Sequence, residues 1–165
     1  MARQVSDAAV RRLRPSAKAV VVVERHLLVT RNRTPGDAGP DWYIFPGGGQ
    51  QPGETLHTTL VREVREETGI EVKPGRLLWV RELNVVPQPD WPFDPRDQPI
   101  EFMFEAEFLQ DHGDAHEEDQ HQIGVEWVEP VKLPQLRFYP AAAIPSLLTY
   151  LSGDGSGPVY LGEVH

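Results

Sequence analysis

The chain is built from short apolar runs separated by polar breaks rich in proline and glycine. Ala17 to Glu24, AKAVVVVE, is a β-branched run that predicts a buried strand, and Leu27 to Thr30 predicts a second strand of a tight hairpin. Residues 31–41, RNRTPGDAGPD, are dense in turn formers and predict a loop. WYIF at 42–45 predicts a short strand, stopped by Pro46. Apolar residues then recur at the helical period, at Leu56, Leu60, Val61 and Val64, and predict a helix over Thr55–Thr68. Thr55 suits its N-cap, and Gly69 stands where a C-terminal glycine belongs.

Further strands are expected over Arg76–Val86, Ile100–Leu109 and Ile123–Val128, and a second helix over Ala141–Leu151. EFMFEAEF alternates apolar and acidic residues, as a half-exposed strand does. Two long loops interrupt this part: the proline-rich 87–99 and the acid- and histidine-rich 111–122. Loops of that length in a compact domain are often functional. The expected organisation is an N-terminal extension at 1–16, one domain at 17–151 and a flexible tail at 152–165.

Composition narrows the function classes. A length of 165 residues suits one domain with a real core. The net charge of −9 argues against a nucleic-acid partner, which usually needs a basic face. A small anionic substrate remains compatible if metal ions supply local positive charge. The absence of cysteine excludes disulfides, thiolate zinc sites and cysteine nucleophiles. The start, MARQVSDAAVRRLRPSAK, has no apolar signal core, and no run approaches a membrane span. A soluble cytoplasmic protein with no membrane partner is therefore expected, and a monomer and a homodimer are both compatible with it.

The stretch that stands apart is GGGQQPGETLHTTLVREVREETGI, residues 47–70. On a helix Glu63, Glu66 and Glu67 occupy i, i+3 and i+4, so all three project from one face about 5–6 Å apart. Two unit charges at about 6 Å repel by roughly 3 kcal/mol at an effective dielectric near 20, and by about 0.7 in water. A solvated acidic face, softened by Arg62 and Arg65, is the plainer reading of such a row. A glycine loop leading directly into the helix favours a divalent cation among the carboxylates. Oxygen-only ligands select a hard ion, Mg2+ or Mn2+, and such ions usually arrive with phosphates.

From Gly48 the chain reads Gly, five residues, Glu54, seven residues, then Arg62-Glu63-Val64-Arg65-Glu66-Glu67-Thr68-Gly69-Ile70. This spacing resembles the Nudix box, the signature of the Nudix hydrolase family, at every defined position. WYIFPGGG resembles the strand that leads into the box, VEWV a strand beyond the second loop, and RFYPAAAIPSLL the closing helix. The resemblance implies an α/β fold, a Nudix-type α/β/α sandwich around a mixed β-sheet. It also implies hydrolysis of a nucleoside diphosphate linked to another moiety. Glu63, Glu66 and Glu67 would bind Mg2+, with the Gly47 carbonyl joining them. Arg62 and Glu54 match the orienting pair, and Gly69 would end the helix without a side chain in the way. A Nudix-fold sensor that binds a nucleotide without cleaving it is the alternative reading, although such proteins typically lose box carboxylates.

Outside the box the match thins. Family members often carry a glutamate six positions before the tryptophan of the W-V strand, and counting back from Trp127 gives His121. His121 is therefore one candidate base, and Glu118 is the other, with Glu117 and Asp119 beside it. A histidine base acts only when neutral. PQPDWPF partly resembles the Trp-Pro-Phe motif of NADH pyrophosphatases, without the cysteines of those longer enzymes, and offers Trp91 and Phe93 as faces for a nucleobase.

Overall fold

The computed structural model describes residues 12–36, 38–83, 96–113 and 121–163. The strands are β1 (Arg12–Val23), β2 (His26–Asn32), β3 (Trp42–Ile44), β4 (Ile70–Glu82), β5 (Asp97–Asp111), β6 (Gln122–Val128), β7 (Arg137–Tyr139) and β8 (Tyr160–Glu163). Two α-helices accompany them, α1 (Leu56–Thr68) and α2 (Ile144–Leu151), with 3-10 turns at Pro130–Gln135 and Ala141–Ala143. The strand order is β7-β3-β2-β1-β5-β4-β8, with β6 on the other edge of β2. The sheet is mixed: β1 runs parallel to β5 and antiparallel to β2. No helix among the described residues is long and apolar enough to cross a membrane.

The β1–β2 hairpin turns on Glu24 and Arg25, with φ of 47° and 66°. Two successive positive-φ residues give the local twist a two-residue hairpin needs. β2 then leaves β1 almost at once, since only Val22↔Leu27 and Val23↔His26 pair. Its vacated edge goes to β3, through Thr30↔Ile44 and Asn32↔Trp42. On the side of β1 that β2 abandons, the segment after β3 takes over. Ala19 N–H donates to the Pro46 carbonyl at 2.9 Å, Ala17 N–H to Gly48 at 3.0 Å, and Gln50 N–H to Pro15 at 2.9 Å. The glycine loop is thus wedged into a split between two strands.

Each face of the sheet carries its own apolar cluster. Leu60 and Val64 of α1 pack with Ala17, Ala19, Val21, Leu28 and Val72. On the other face, Ile144 and Leu147 of α2 pack with Val20, Val29, Phe45, Trp79 and Met103. This two-sided burial is the expected α/β sandwich.

Several boundaries differ from the expectation. β1 begins at Arg12, inside the stretch expected to be an extension, because Arg12–Val21 pairs continuously with Asp97–Ala106. β4 begins at Ile70 rather than Arg76, and its Pro74-Gly75 interruption is absorbed as a register shift. The tail, expected to be flexible, contributes β8, which pairs parallel with β4 through Val80↔Tyr160 and Glu82↔Glu163.

Candidate active site

Helix α1 forms where its caps and apolar stripe require. Thr55 Oγ1 accepts the Thr58 N–H at 3.1 Å, and Gly69, at φ 73°, sends its N–H to the Arg65 carbonyl at 3.0 Å. With Leu60 and Val64 buried, Arg62, Glu63, Glu66 and Glu67 are left on the part-exposed side facing the glycine loop.

Arg62 is the hub. Its Nε and Nη2 donate to Glu54 Oε1 and Oε2 at 2.6 and 2.9 Å, and its Nη1 donates to Glu63 at 2.7 Å and Glu66 at 3.0 Å. Nη2 also reaches the Gly49 carbonyl at 3.2 Å. Glu54 accepts further bonds from the Gln51 N–H at 3.0 Å and the Thr59 hydroxyl at 2.8 Å. The Arg62 hydrogen bond, followed by that from Gln51, lowers the Glu54 carboxyl from 4.5 to about 2. Arg62 is raised in turn, chiefly by Glu54.

The loop is shaped to take the carboxylates. A Cβ on Gly48 would lie 2.3 Å from Glu63 Oε2, and one on Gly47, at φ 126°, would lie 2.1 Å from the Ala17 carbonyl oxygen. Neither position tolerates a side chain without something moving. Glu67 Oε2 accepts the Gly47 N–H at 2.8 Å, while the Gly47 carbonyl accepts from the ammonium of the buried Lys18.

Among the described residues no three acidic or histidine side chains converge as a ready metal cage. The donor set nevertheless suits a hard dication. It is all oxygen, and protein cations already sit on it: Arg62 bridges Glu63 and Glu66, and Lys18 holds the Gly47 carbonyl.

Of the expected box residues, Gly47, Gly48, Glu54, Arg62, Glu63, Glu66 and Glu67 come together here, while Gly69 closes the C-terminal end of α1. His121 stands just before β6, its ring 6.4 Å from that of Trp42, its Nδ1 buried and without a hydrogen-bond partner among the described residues. The next residue, Gln122, donates to the Glu67 carbonyl at 2.7 Å and ties that strand to the end of α1. Glu117, Glu118, Asp119, Trp91 and Phe93 lie outside the described residues. The sequence pattern does not single out Lys18. Its one signal is that polar residues occupy alternate positions 12, 14, 16 and 18.

A family model described as NUDIX domain matches residues 5–147. The chain belongs to the NUDIX family. Human diphosphoinositol polyphosphate phosphohydrolase 3-alpha is 51% identical over 49 residues, 30% of this chain and 30% of that one. The match therefore spans less than a third of this curated relative's length. Among solved structures, a NUDIX hydrolase from Nitrosomonas europaea aligns with TM-score 0.67 at 17% identity, covering 87% of this chain and 91% of the other. A UDP-X diphosphatase aligns with TM-score 0.65 at 22% identity, covering 94% and 70%. At these identities the likeness is one of fold.

Proposed function

We propose that the protein is a Mg2+-dependent pyrophosphohydrolase that cleaves a nucleoside diphosphate linked to another moiety by water attack at phosphorus. The observation that carries this reading is Arg62, locked by Glu54 and holding Glu63 and Glu66 against the glycine loop. A pair fixed in this way sets the direction of the carboxylates, as partners behind metal ligands do. Phosphohydrolase and diphosphatase appear as the activities in the names of two of the similar proteins, which agrees with the reaction class. A small nucleotide-type substrate and a cytoplasmic location belong to the same reading.

Glu63, Glu66, Glu67 and the Gly47 carbonyl would hold the ion, with Mn2+ as a substitute for Mg2+. When bound, it neutralises the pyrophosphate and lowers the pKa of a coordinated water. The chain's own residues do the rest. Glu67 fixes the loop through the Gly47 N–H, and Arg62 keeps two carboxylates from turning to solvent. His121 or Glu118 takes the proton from the attacking water as its oxygen bonds to phosphorus and the phosphoanhydride oxygen leaves.

The test is phosphate or nucleotide release from a nucleotide panel with Mg2+ in oxygen-18 water. Label should enter a phosphate product. Label found only on a sugar hydroxyl would overturn the mechanism, and tight nucleotide binding without turnover would favour the sensor alternative.

A further inference from the structure

The last carbonyls of a helix have no partner inside it and must find one elsewhere. At the end of α1 the Glu67 carbonyl takes the side-chain amide of Gln122 at 2.7 Å. Glu67 is thereby gripped twice, its backbone by β6 and its carboxylate by the Gly47 N–H at 2.8 Å. The turn itself is already closed from within. The Thr68 hydroxyl sits on the Val64 carbonyl at 2.6 Å, and the Gly69 N–H on the Arg65 carbonyl at 3.0 Å.

The other side of the Gln122 bond has more to gain. In the β2–β6 ladder Arg31 pairs with Gly124 and Asn32 with Gln122, so Ile123 is left as an extra residue in β6. A bulge of this kind interrupts the ladder and re-aims the chain beyond it. The pairing therefore does not by itself fix where β6 begins. His121, the residue before it, is held at its carbonyl by the Arg33 N–H at 2.8 Å, and its ring stands 6.4 Å from that of the buried Trp42. Both contacts refer His121 to the β2–β3 side. Of the three anchors, Gln122 is the one that refers it to α1 and the carboxylates.

We propose that Gln122 is a positioning residue, whose amide sets the His121 imidazole at a fixed place relative to the Glu67 end of the carboxylate row. This rests on the pyrophosphohydrolase reading and deepens it, by assigning the base to His121 and naming what holds it. A base must lie within hydrogen-bond reach of the attacking water, and a displacement of about 1 Å costs about 10²-fold. Arg62 holds Glu63 and Glu66 independently, so losing the Gln122 bond moves the base and leaves those carboxylates in place.

The experiment measures kcat, KM and Mn2+ affinity for wild type, Gln122→Met, His121→Gln and the double variant, on whichever member of a nucleotide panel wild type turns over fastest. Gln122→Met keeps the side-chain length and loses the donor. It should lower kcat by about 10–100-fold, while KM and the Mn2+ Kd, read by calorimetry without substrate, stay within about threefold. Gln122→Asn, one methylene short of the carbonyl, should show the same split and serves if the methionine variant does not fold. The double variant should be within about twofold of His121→Gln, since the amide acts through the imidazole. An unchanged kcat, or a parallel loss of kcat and Mn2+ affinity, would make Gln122 a plain helix cap and overturn the proposal. Multiplying losses in the double variant, or a silent His121→Gln, would do the same. If wild type hydrolyses nothing in the panel, the pyrophosphohydrolase reading fails on its own, and proton NMR decides the placement. The His121 ring signals, assigned by their absence in His121→Gln, should then shift in Gln122→Met, and unmoved signals would overturn it.

Discussion

Arg62 grips Glu54 with two parallel bonds and, with its remaining nitrogen, holds Glu63 and Glu66 together. Like-charge crowding along α1, which the sequence poses as a problem, is therefore met by a cation inside the row itself. Because Glu54 is held at about 2 against an ordinary 4.5, its ion pair contributes stability above the ordinary value and loses it as pH falls toward 2. The melting-temperature gap between wild type and Glu54→Gln should be widest above about pH 5 and close through that acid window. A gap independent of pH would deny the pair its role.

Glu66→Gln and Glu67→Gln should each lower turnover by about 10²–10³, several kcal/mol of lost charge stabilisation at about 1.4 per decade. Their melting temperatures should move little. An i,i+4 ion pair is worth about 0.3–0.5 kcal/mol, and in Glu67→Gln the new amide oxygen can still accept the loop N–H. Near-wild-type turnover at saturating Mg2+ in either variant would refute the metal assignment.

Lys18→Met removes the cation on the Gly47 carbonyl. The free carbonyl should cost about 1–3 kcal/mol in metal-free buffer. Added Mn2+ should then raise the melting temperature more in Lys18→Met than in wild type, because the ammonium no longer competes for that oxygen. An equal rise in both would mean that the ion does not use this carbonyl.

Gly47→Ala and Gly48→Ala should separate backbone strain from site disturbance. At Gly47 the added Cβ meets backbone at 2.1 Å and a positive φ, so thermal stability should fall by about 1–3 kcal/mol or more. At Gly48 it meets the end of a flexible side chain at 2.3 Å. Glu63 can swing away there, so turnover should drop about tenfold or more with a smaller thermal shift. The reverse pattern in a paired assay would contradict this packing.

His121→Gln and Glu118→Gln decide the base. Whichever residue takes the proton should cost about 10²–10⁴ in turnover when replaced, with the other nearly silent. Turnover of both variants with saturating Mg2+ provides the check. Two silent substitutions would move the base elsewhere.

Local signals were readable and long-range ones were not. Thr55, Gly69 and the Leu60/Val64 stripe act within one helix, so the sequence locates α1 closely. Glu54 and Arg62 are legible as a pair only through family resemblance, since Glu54 lies before the helix and Arg62 eight positions on, inside it. The polar half of β1 has no apolar pattern, and its partner β5 lies 85 residues away. Tyr160–Glu163 has a parallel partner that nothing in the tail announces. Lys18 gains meaning only once the glycine loop is folded against it.

The split between β1 and β2 gives the site its own reporter. The amides of Ala17 and Ala19 have the loop carbonyls of Gly48 and Pro46 as partners, yet they belong to a fully buried stretch of strand. Their hydrogen exchange is therefore governed by how often the loop unseats, not by fraying of the sheet. Two central amides thus convert the motion of the glycine loop into an exchange rate, expected to slow if added Mg2+ is held at the Gly47 carbonyl and to quicken in a variant whose residue 67 no longer accepts the Gly47 N–H.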